Sequence, residues 1–451
     1  MKRALVLMMA VVLVGCGSNT ASTPPAASSS AAAPASAAAP ATTAPSASAV
    51  ASPAGDPTAP VTVWIDQDRQ PAFDAYVKAH PDQAKLLKAV VVDREQFPAK
   101  VLLFNNTKSG WPDVVFAEPR LVARVADAAH NFPLDLTGLV PADQIANYDG
   151  ENNCIFDGKV LCLRNDLAQF VLYYNKPLMD QFGYTVPTTW EDYQALSDKV
   201  AKDHPGYYMG TFGDGWSFLS YFEAANCPFA KVKDSSTLII NPADPSCTKP
   251  AQLVDHMIAN KTLWNTDYFD ASFANIGTSG KLLMVPMAAW AWGVFDATYK
   301  FPAGSLGVAS PLKWSADPAP VTAAMGGAAW TVSSHAKNVG LAVDFIGWVT
   351  QNPDFWKGTT NFPSYKPIQS LWHDAVKSNK IFANDPWDAM SGAAADLSPL
   401  DNWPRIDLIV PLNGFVKDAY KNGKTIEASL PGLVDTFKPL AEAVGYQIVS
   451  Q

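Results

Sequence analysis

From Cys16 to Pro60 the chain is almost wholly Ala, Pro, Ser and Thr. Such a composition cannot bury enough apolar surface to offset the entropy of ordering the backbone. Folding is therefore confined to the residues beyond Pro60, and their number exceeds the size at which one hydrophobic core keeps growing, so two lobes are expected. The 16–60 stretch reads as a disordered tether reaching about 40 Å as a coil and about 140 Å as extended polyproline II.

Ahead of the tether, Met1-Lys2-Arg3 is basic, Ala4 to Leu13 is apolar, and Leu13-Val14-Gly15-Cys16 has the form of a bacterial lipobox. The apolar run is about half the ~20 residues a membrane-spanning helix needs, which fits a signal peptide. Residues 1–15 are expected to be removed and Cys16 to be lipidated, which would hold the protein through a lipid anchor on the outer face of the cytoplasmic membrane, at the cell surface. The small and polar residues Gly17-Ser18-Asn19-Thr20 favour that anchor over a soluble export product.

The net charge of −9 and pI near 5.1 repel phosphate backbones and anionic lipid heads, so no nucleic acid partner is expected. The 14 Trp and 14 Tyr supply core mass and flat amphipathic surfaces. Once Cys16 is spent on lipid, an even four cysteines remain for an oxidising compartment. Sequential pairing, Cys154 with Cys162 and Cys227 with Cys247, is the simplest. A hairpin with the three-residue loop Asp157-Gly158-Lys159 would set the first two opposite each other. None of the six His gives zinc-ligand spacing, so neither metal nor cofactor is expected.

Beyond the tether, strands and helices alternate. Val61 to Asp66, Ala89 to Asp93 and Pro112 to Ala117 read as strands, with helices over Pro71 to Ala79 and Phe97 to Phe104 between them. This βαβαβ order predicts a largely parallel sheet. Ligands bind outside the carboxyl ends of such strands, which selects Asp66, Gln67, Asp68, Arg69 and Glu118. Further on, Phe170 to Asn175 and Leu282 to Met287 are strands. Thr188 with Glu191 three residues later forms a capping box ahead of a helix that buries Trp190, Tyr193, Leu196 and Val200. Asn338 can cap a helix closed by Asn352-Pro353.

Three segments resemble the extracellular solute-binding proteins of ABC importers, in particular the carbohydrate-binding cluster similar to maltose-binding protein. They are Gly158-Lys159-Val160 through Val171-Leu172-Tyr173-Tyr174-Asn175-Lys176 to Pro187-Thr-Thr-Trp190-Glu, then Leu283-Met284-Val285-Pro286-Met287 through Trp290-Ala291-Trp292, then Gly326-Gly327 through Ala342-Val343-Asp344-Phe345. The resemblance implies a two-lobed α/β fold of the periplasmic-binding-protein type, with three interlobe crossings and a central ligand cleft. The motifs put the crossings near Arg164 to Leu167, Leu306 to Pro311 and Gly358. The first lobe would hold residues 60–165 and 306–358, the second 166–305 and 359–451.

What the resemblance implies about function is a monomeric, lipid-anchored substrate-binding component that captures a sugar, an oligosaccharide, by hinge closure and delivers it to the transmembrane permease subunits. A non-sugar solute remains an alternative, as does a secreted glycoside hydrolase using a carboxylate pair. The motifs of zinc proteases, serine hydrolases and P-loops are absent, which favours binding without chemistry. Polar candidates for the cleft are Asp66, Gln67, Asp68, Arg69, Glu118, Asn165, Asp166 and Asp214; aromatic ones are Trp216, Trp290, Trp292, Trp330, Phe362, Tyr365 and Trp403. Gly327 could bring backbone amides close to ligand. Trp290 and Trp292 share a face if their segment stays extended, and diverge by about 200° if it turns helical. The neighbouring alanines favour the helix, with Trp292 expected on the ligand and Trp290 in the core.

Overall fold

The computed structural model describes residues 55–398 and 403–450. The expected signal peptide, the expected lipidation site Cys16 and most of the expected tether lie outside them. Among the described residues no helix is long and apolar enough to cross a membrane.

Along the first part of the chain run strands β1 (Val61–Ile65), β2 (Leu87–Val91), β3 (Val114–Ala117), β4 (Ile155–Phe156), β5 (Lys159–Val160), β6 (Leu163–Arg164) and β7 (Phe170–Asn175). Then follow β8 (Lys231–Asp234), β9 (Thr237–Ile239), β10 (Met284–Ala288), β11 (Leu306–Ala309), β12 (Ala329–Val332) and β13 (Gln447–Val449). The fold is two-lobed α/β. Its main sheets are a first, five-stranded one of order β2-β1-β3-β12-β6 and a second, three-stranded one of order β10-β7-β11, with a smaller sheet of order β13-β9-β8.

In the first sheet β1 pairs in parallel with both β2 and β3, as the βαβαβ pattern requires. Val61, Val63 and Ile65 enter one hydrophobic cluster with Phe116 and Trp330, while Trp64 points the other way into a second with Val115 and Leu121. Both faces are covered, hence the continuous apolar runs in the sequence. The second sheet behaves alike: Leu172 and Met284 face one cluster, Val171, Tyr173, Val285 and Met287 the other.

Several local features differ from the sequence expectation. The turn between β4 and β5 has two residues, not three: Asp157 (φ 49°) and Gly158 (φ 75°) both take the left-handed region, as a type I′ turn demands, and Lys159 pairs with Phe156. Cys154 and Cys162 are therefore offset by one position in register, yet bonded, and Cys227 bonds to Cys247. The helix Trp190–Asp203 is capped one residue later than expected: Thr189 accepts from the Asp192 N–H at 3.0 Å. Leu306–Ala309 lies along β7, from Leu306↔Asn175 to Ala309↔Leu172. This strand belongs to the second sheet. The chain regains the first sheet only at Ala329. Asn338 caps its helix as expected, accepting from the Leu341 N–H, and Asn352 caps the next.

Candidate functional site

Because β1 and β3 are adjacent and parallel, the residues just past their carboxyl ends are neighbours, and these are Asp66 and Glu118. Arg94, from the loop after β2, bridges them: Nη1 lies 3.3 Å from Asp66 Oδ2 and Nη2 lies 2.9 Å from Glu118 Oε1. Glu118 is buried and pairs through Oε2 with Arg120 Nε at 2.5 Å; Arg120 Nη1 donates to Glu95 Oε2 at 3.1 Å. Arg69 reaches Asp66 at 3.8 Å and lays its guanidinium 4.3 Å over the Phe116 ring. Burial pushes the Glu118 carboxyl up, but Arg120 and Arg94 outweigh it and hold the group below its ordinary value. Arg164 is fully enclosed, and burial draws its guanidinium down to about 10 against the opposing charges of Asp166 and Glu118.

The short helix Pro119–Val125 carries this cluster to contacts far along the chain. Arg120 sits 5.4 Å over the Trp216 ring, a cation–π distance. One turn later Arg124 pairs with Asp407 at 3.0 Å, and Asp407 also accepts from the Ile409 N–H at 2.9 Å. Trp216 is the second residue of the helix Gly215–Glu223, whose N-cap Asp214 forms a capping box with Ser217. Burial raises the Asp214 carboxyl, with the Ser217 bonds opposing. Asp214 is thus committed to its helix and positions Trp216.

After β10 the chain turns helical, and the two tryptophans find different surroundings, with Trp292 and not Trp290 the more deeply buried. Trp292 is 8% exposed, packs on Phe382 and donates its indole N–H to Thr360 O at 3.1 Å. It is core. Trp290 is half-buried and lies nearly parallel to Phe269, with centroids 6.2 Å apart and planes at 7°. Phe269 is 63% exposed. The Trp290 indole N–H binds Met325 O, and the Met325 N–H binds Ala168 O. The pair of rings therefore sits beside the segments that lead from one sheet to the other.

Other candidates have structural duties. Trp330 is fully buried against Phe116 and Phe345, and its indole N–H binds Asn165 Oδ1 at 3.0 Å. Asn165 in turn donates to Asp166, which also accepts from the Ala328 N–H. Phe362 is buried against Trp372 and Trp387. Tyr365 packs on Tyr148. Gly327 (φ +74°) leaves no room for a side chain, since a Cβ would lie 2.4 Å from Leu167 O; its close approach is to the neighbouring segment. Gln67 and Asp68 are exposed. Trp403 lines a separate cavity of about 490 Å³ between the β4–β5 hairpin and the β8–β9 turn.

Arg94, Glu95, Arg120, Arg124, Phe269 and Asp407 were missed. The rule that gave Asp66 and Glu118, applied past the end of β2, would have found Arg94 and Glu95. Phe269 carries no local signal. Among the described residues no group of three or more His, Cys, Asp or Glu could hold a metal ion.

Two α/β lobes, with charged and aromatic groups meeting where they face each other, define a solute-binding protein. The chain belongs to the bacterial extracellular solute-binding protein family, which it matches over residues 63–354. The multiple sugar-binding protein of Streptococcus mutans is 25% identical over 196 residues, 40% of this chain and 44% of that protein, so the chain spans less than half of that curated relative's length. Among solved structures, the galacto-N-biose-/lacto-N-biose I-binding protein of the Bifidobacterium longum ABC transporter superposes with TM-score 0.72 at 17% identity over 87% of this chain and 100% of that one. The ABC-transporter-associated binding protein of B. animalis subsp. lactis, in complex with β-1,6-galactobiose, gives 0.67 at 19% over 86% and 98%. These family members and neighbours are binding proteins.

Proposed function

We propose that this protein is the substrate-binding component of an ABC importer and captures a sugar, an oligosaccharide, between its lobes. The observation that carries the reading is the parallel Phe269–Trp290 pair, one ring largely exposed and the other fixed beside the inter-sheet segments. The axial hydrogens of a pyranose leave an apolar face that lies on such rings, while its hydroxyls take bidentate bonds from carboxylates and guanidinium groups. Asp66, Glu118, Arg94 and Arg120 supply those, with Trp216 closing the set from the second lobe. The names of the Streptococcus relative and of the Bifidobacterium neighbours, all sugar binders, point the same way.

In this reading the first lobe comprises β1–β6 and β12, the second the remaining strands, and hinge motion falls in the stretches 165–169, 310–328 and 357–367. Lipidated Cys16 and the tether hold the monomer at the cell surface, and the closed form delivers its cargo to the permease subunits. A thermal-shift screen over mono- to tetrasaccharides tests the reading, because ligand at 100 times its Kd stabilises by about 2.7 kcal/mol. A rise with at least one saccharide is expected. No rise with any of them, alongside a rise with a peptide or polyamine, would overturn the sugar assignment.

A further inference from the structure

We infer that the cavity between the β4–β5 hairpin and the β8–β9 turn is a second, accessory saccharide site, distinct from the cleft at Glu118 and Trp290. This inference rests on the sugar reading above. Its volume of about 490 Å³ is that of a small-molecule pocket, and none of its lining residues belongs to the Asp66–Glu118–Arg120 cluster or to the Phe269–Trp290 pair.

The helix Pro119–Val125 measures the separation. Glu118, at its N-cap, belongs to the charged cluster; Ala123 and Ala126, at the other end, line the cavity. At 1.5 Å per residue Ala126 lies about 12 Å and Ala123 about 7.5 Å along the axis from Glu118, and Ala123 about 4.5 Å from Arg120. The Arg124–Asp407 ion pair joins the lobes from the same helix, next to Ala123.

The lining chemistry selects the ligand class. Trp403 and Phe156 are half-buried and supply aromatic surface from opposite lobes, and Tyr446 adds a third ring. Arg405 stacks 4.7 Å from the Tyr446 ring and donates through Nη2 to Ser235 O at 2.8 Å, while its Nε is buried without a hydrogen-bond partner. An unpaired buried donor is costly, and a ligand hydroxyl would satisfy it. The charges on the wall balance, Asp157 and Asp234 against Lys159 and Arg405. A balanced wall favours neither anion nor cation. Rings with mixed donors and acceptors and no net charge fit a neutral polyhydroxylated molecule of one or two sugar rings.

The test is calorimetric titration of the full chain with lactose, maltose, raffinose and maltotriose, repeated on Trp403→Ala, Arg405→Ala and Trp290→Ala. Melting curves check that each variant is folded, and the indole N–H resonances of Trp290 and Trp403 report occupancy directly. Two binding events are expected, the weaker lost by at least tenfold in Trp403→Ala and Arg405→Ala, the tighter lost in Trp290→Ala. A single event lost only in Trp403→Ala would keep the accessory site and remove the cleft assignment. A single event untouched by Trp403→Ala and Arg405→Ala would overturn the accessory site and leave the proposed function standing. One event weakened by both tryptophan variants would make a single groove and overturn it too. Silence with all four sugars, when the wider screen also gives none, removes both readings.

Discussion

The charged cluster around Glu118 and the ring pair Phe269–Trp290 are built on opposite physical strategies. The first lobe contributes ionised groups, Glu118 and Arg120 almost wholly buried and locked to Glu95 and Arg94. The second contributes rings, of which Phe269 is left largely in water. Buried charges are expensive to desolvate and keep their positions only while every partner is present. Rings have few rotatable bonds, lose little conformational entropy on contact, and offer a face to any sugar of the right shape. In the proposed sugar reading, orientation and selectivity would fall to the ionised groups and contact area to the rings.

The difference breaks most visibly when a charge is removed. Glu118→Ala leaves Arg94, Arg120 and Arg164 facing one another, and should destabilise the protein by about 3–5 kcal/mol, read by urea denaturation. Because the Glu118 carboxyl titrates below its ordinary value of 4.5, its contribution is complete above that pH and is lost as the pH falls through the lower, folded-state value. In the second lobe a comparable loss requires a core ring: Trp292→Ala should cost about 3–5 kcal/mol of stability.

A buried carboxyl with one oxygen left without a hydrogen-bond partner offers the contrast. Glu223 is fully enclosed, its Oε1 has no hydrogen-bond partner, and burial raises its carboxyl to about 8. An acid raised in the folded state loses the protein stability as pH rises from its ordinary value of 4.5 towards 8. Wild type should therefore weaken across that range by on the order of 2–4 kcal/mol more than Glu223→Gln, in denaturation series at stepped pH. Equal pH slopes would contradict the assignment.

Smaller effects sharpen the division. Trp290→Ala should reduce sugar affinity by about 2 kcal/mol, roughly thirtyfold, with the melting temperature of the free protein nearly unchanged. Arg124→Ala removes a partly exposed pair and should cost no more than about 1 kcal/mol, an effect that fades in high salt.

The parallel strands β2-β1-β3 were legible because β1 and β3 are buried on both faces and leave unbroken apolar runs, and the topology rule then selected Asp66 and Glu118; the sheet as a whole is mixed rather than largely parallel, since β12 pairs antiparallel with β3 and β6. The disulfide pairs were legible from their even count and the Asp157-Gly158 turn, although the turn length was misjudged because Lys159 can serve either as a loop residue or as the first paired one. Trp290 and Trp292 could be separated by helical period but not assigned, since which face looks inward depends on Phe382 and Thr360, 90 and 68 residues further on in sequence for the contacts with Trp292. The pairing of Leu306–Ala309 with Phe170–Asn175 was out of reach for the same reason, since strand pairing at that separation leaves no local trace. Arg94 and Arg120 were within reach of the rule that found their acidic partners.

The central claim is that a sugar is held between the charged wall and the ring wall. Calorimetric titration of wild type, Glu118→Gln and Trp290→Ala with the saccharide that raises the melting temperature most tests it directly. The account predicts binding by wild type and a loss of at least tenfold in each variant, both still folded by their melting curves. Wild-type affinity retained in both variants would contradict it.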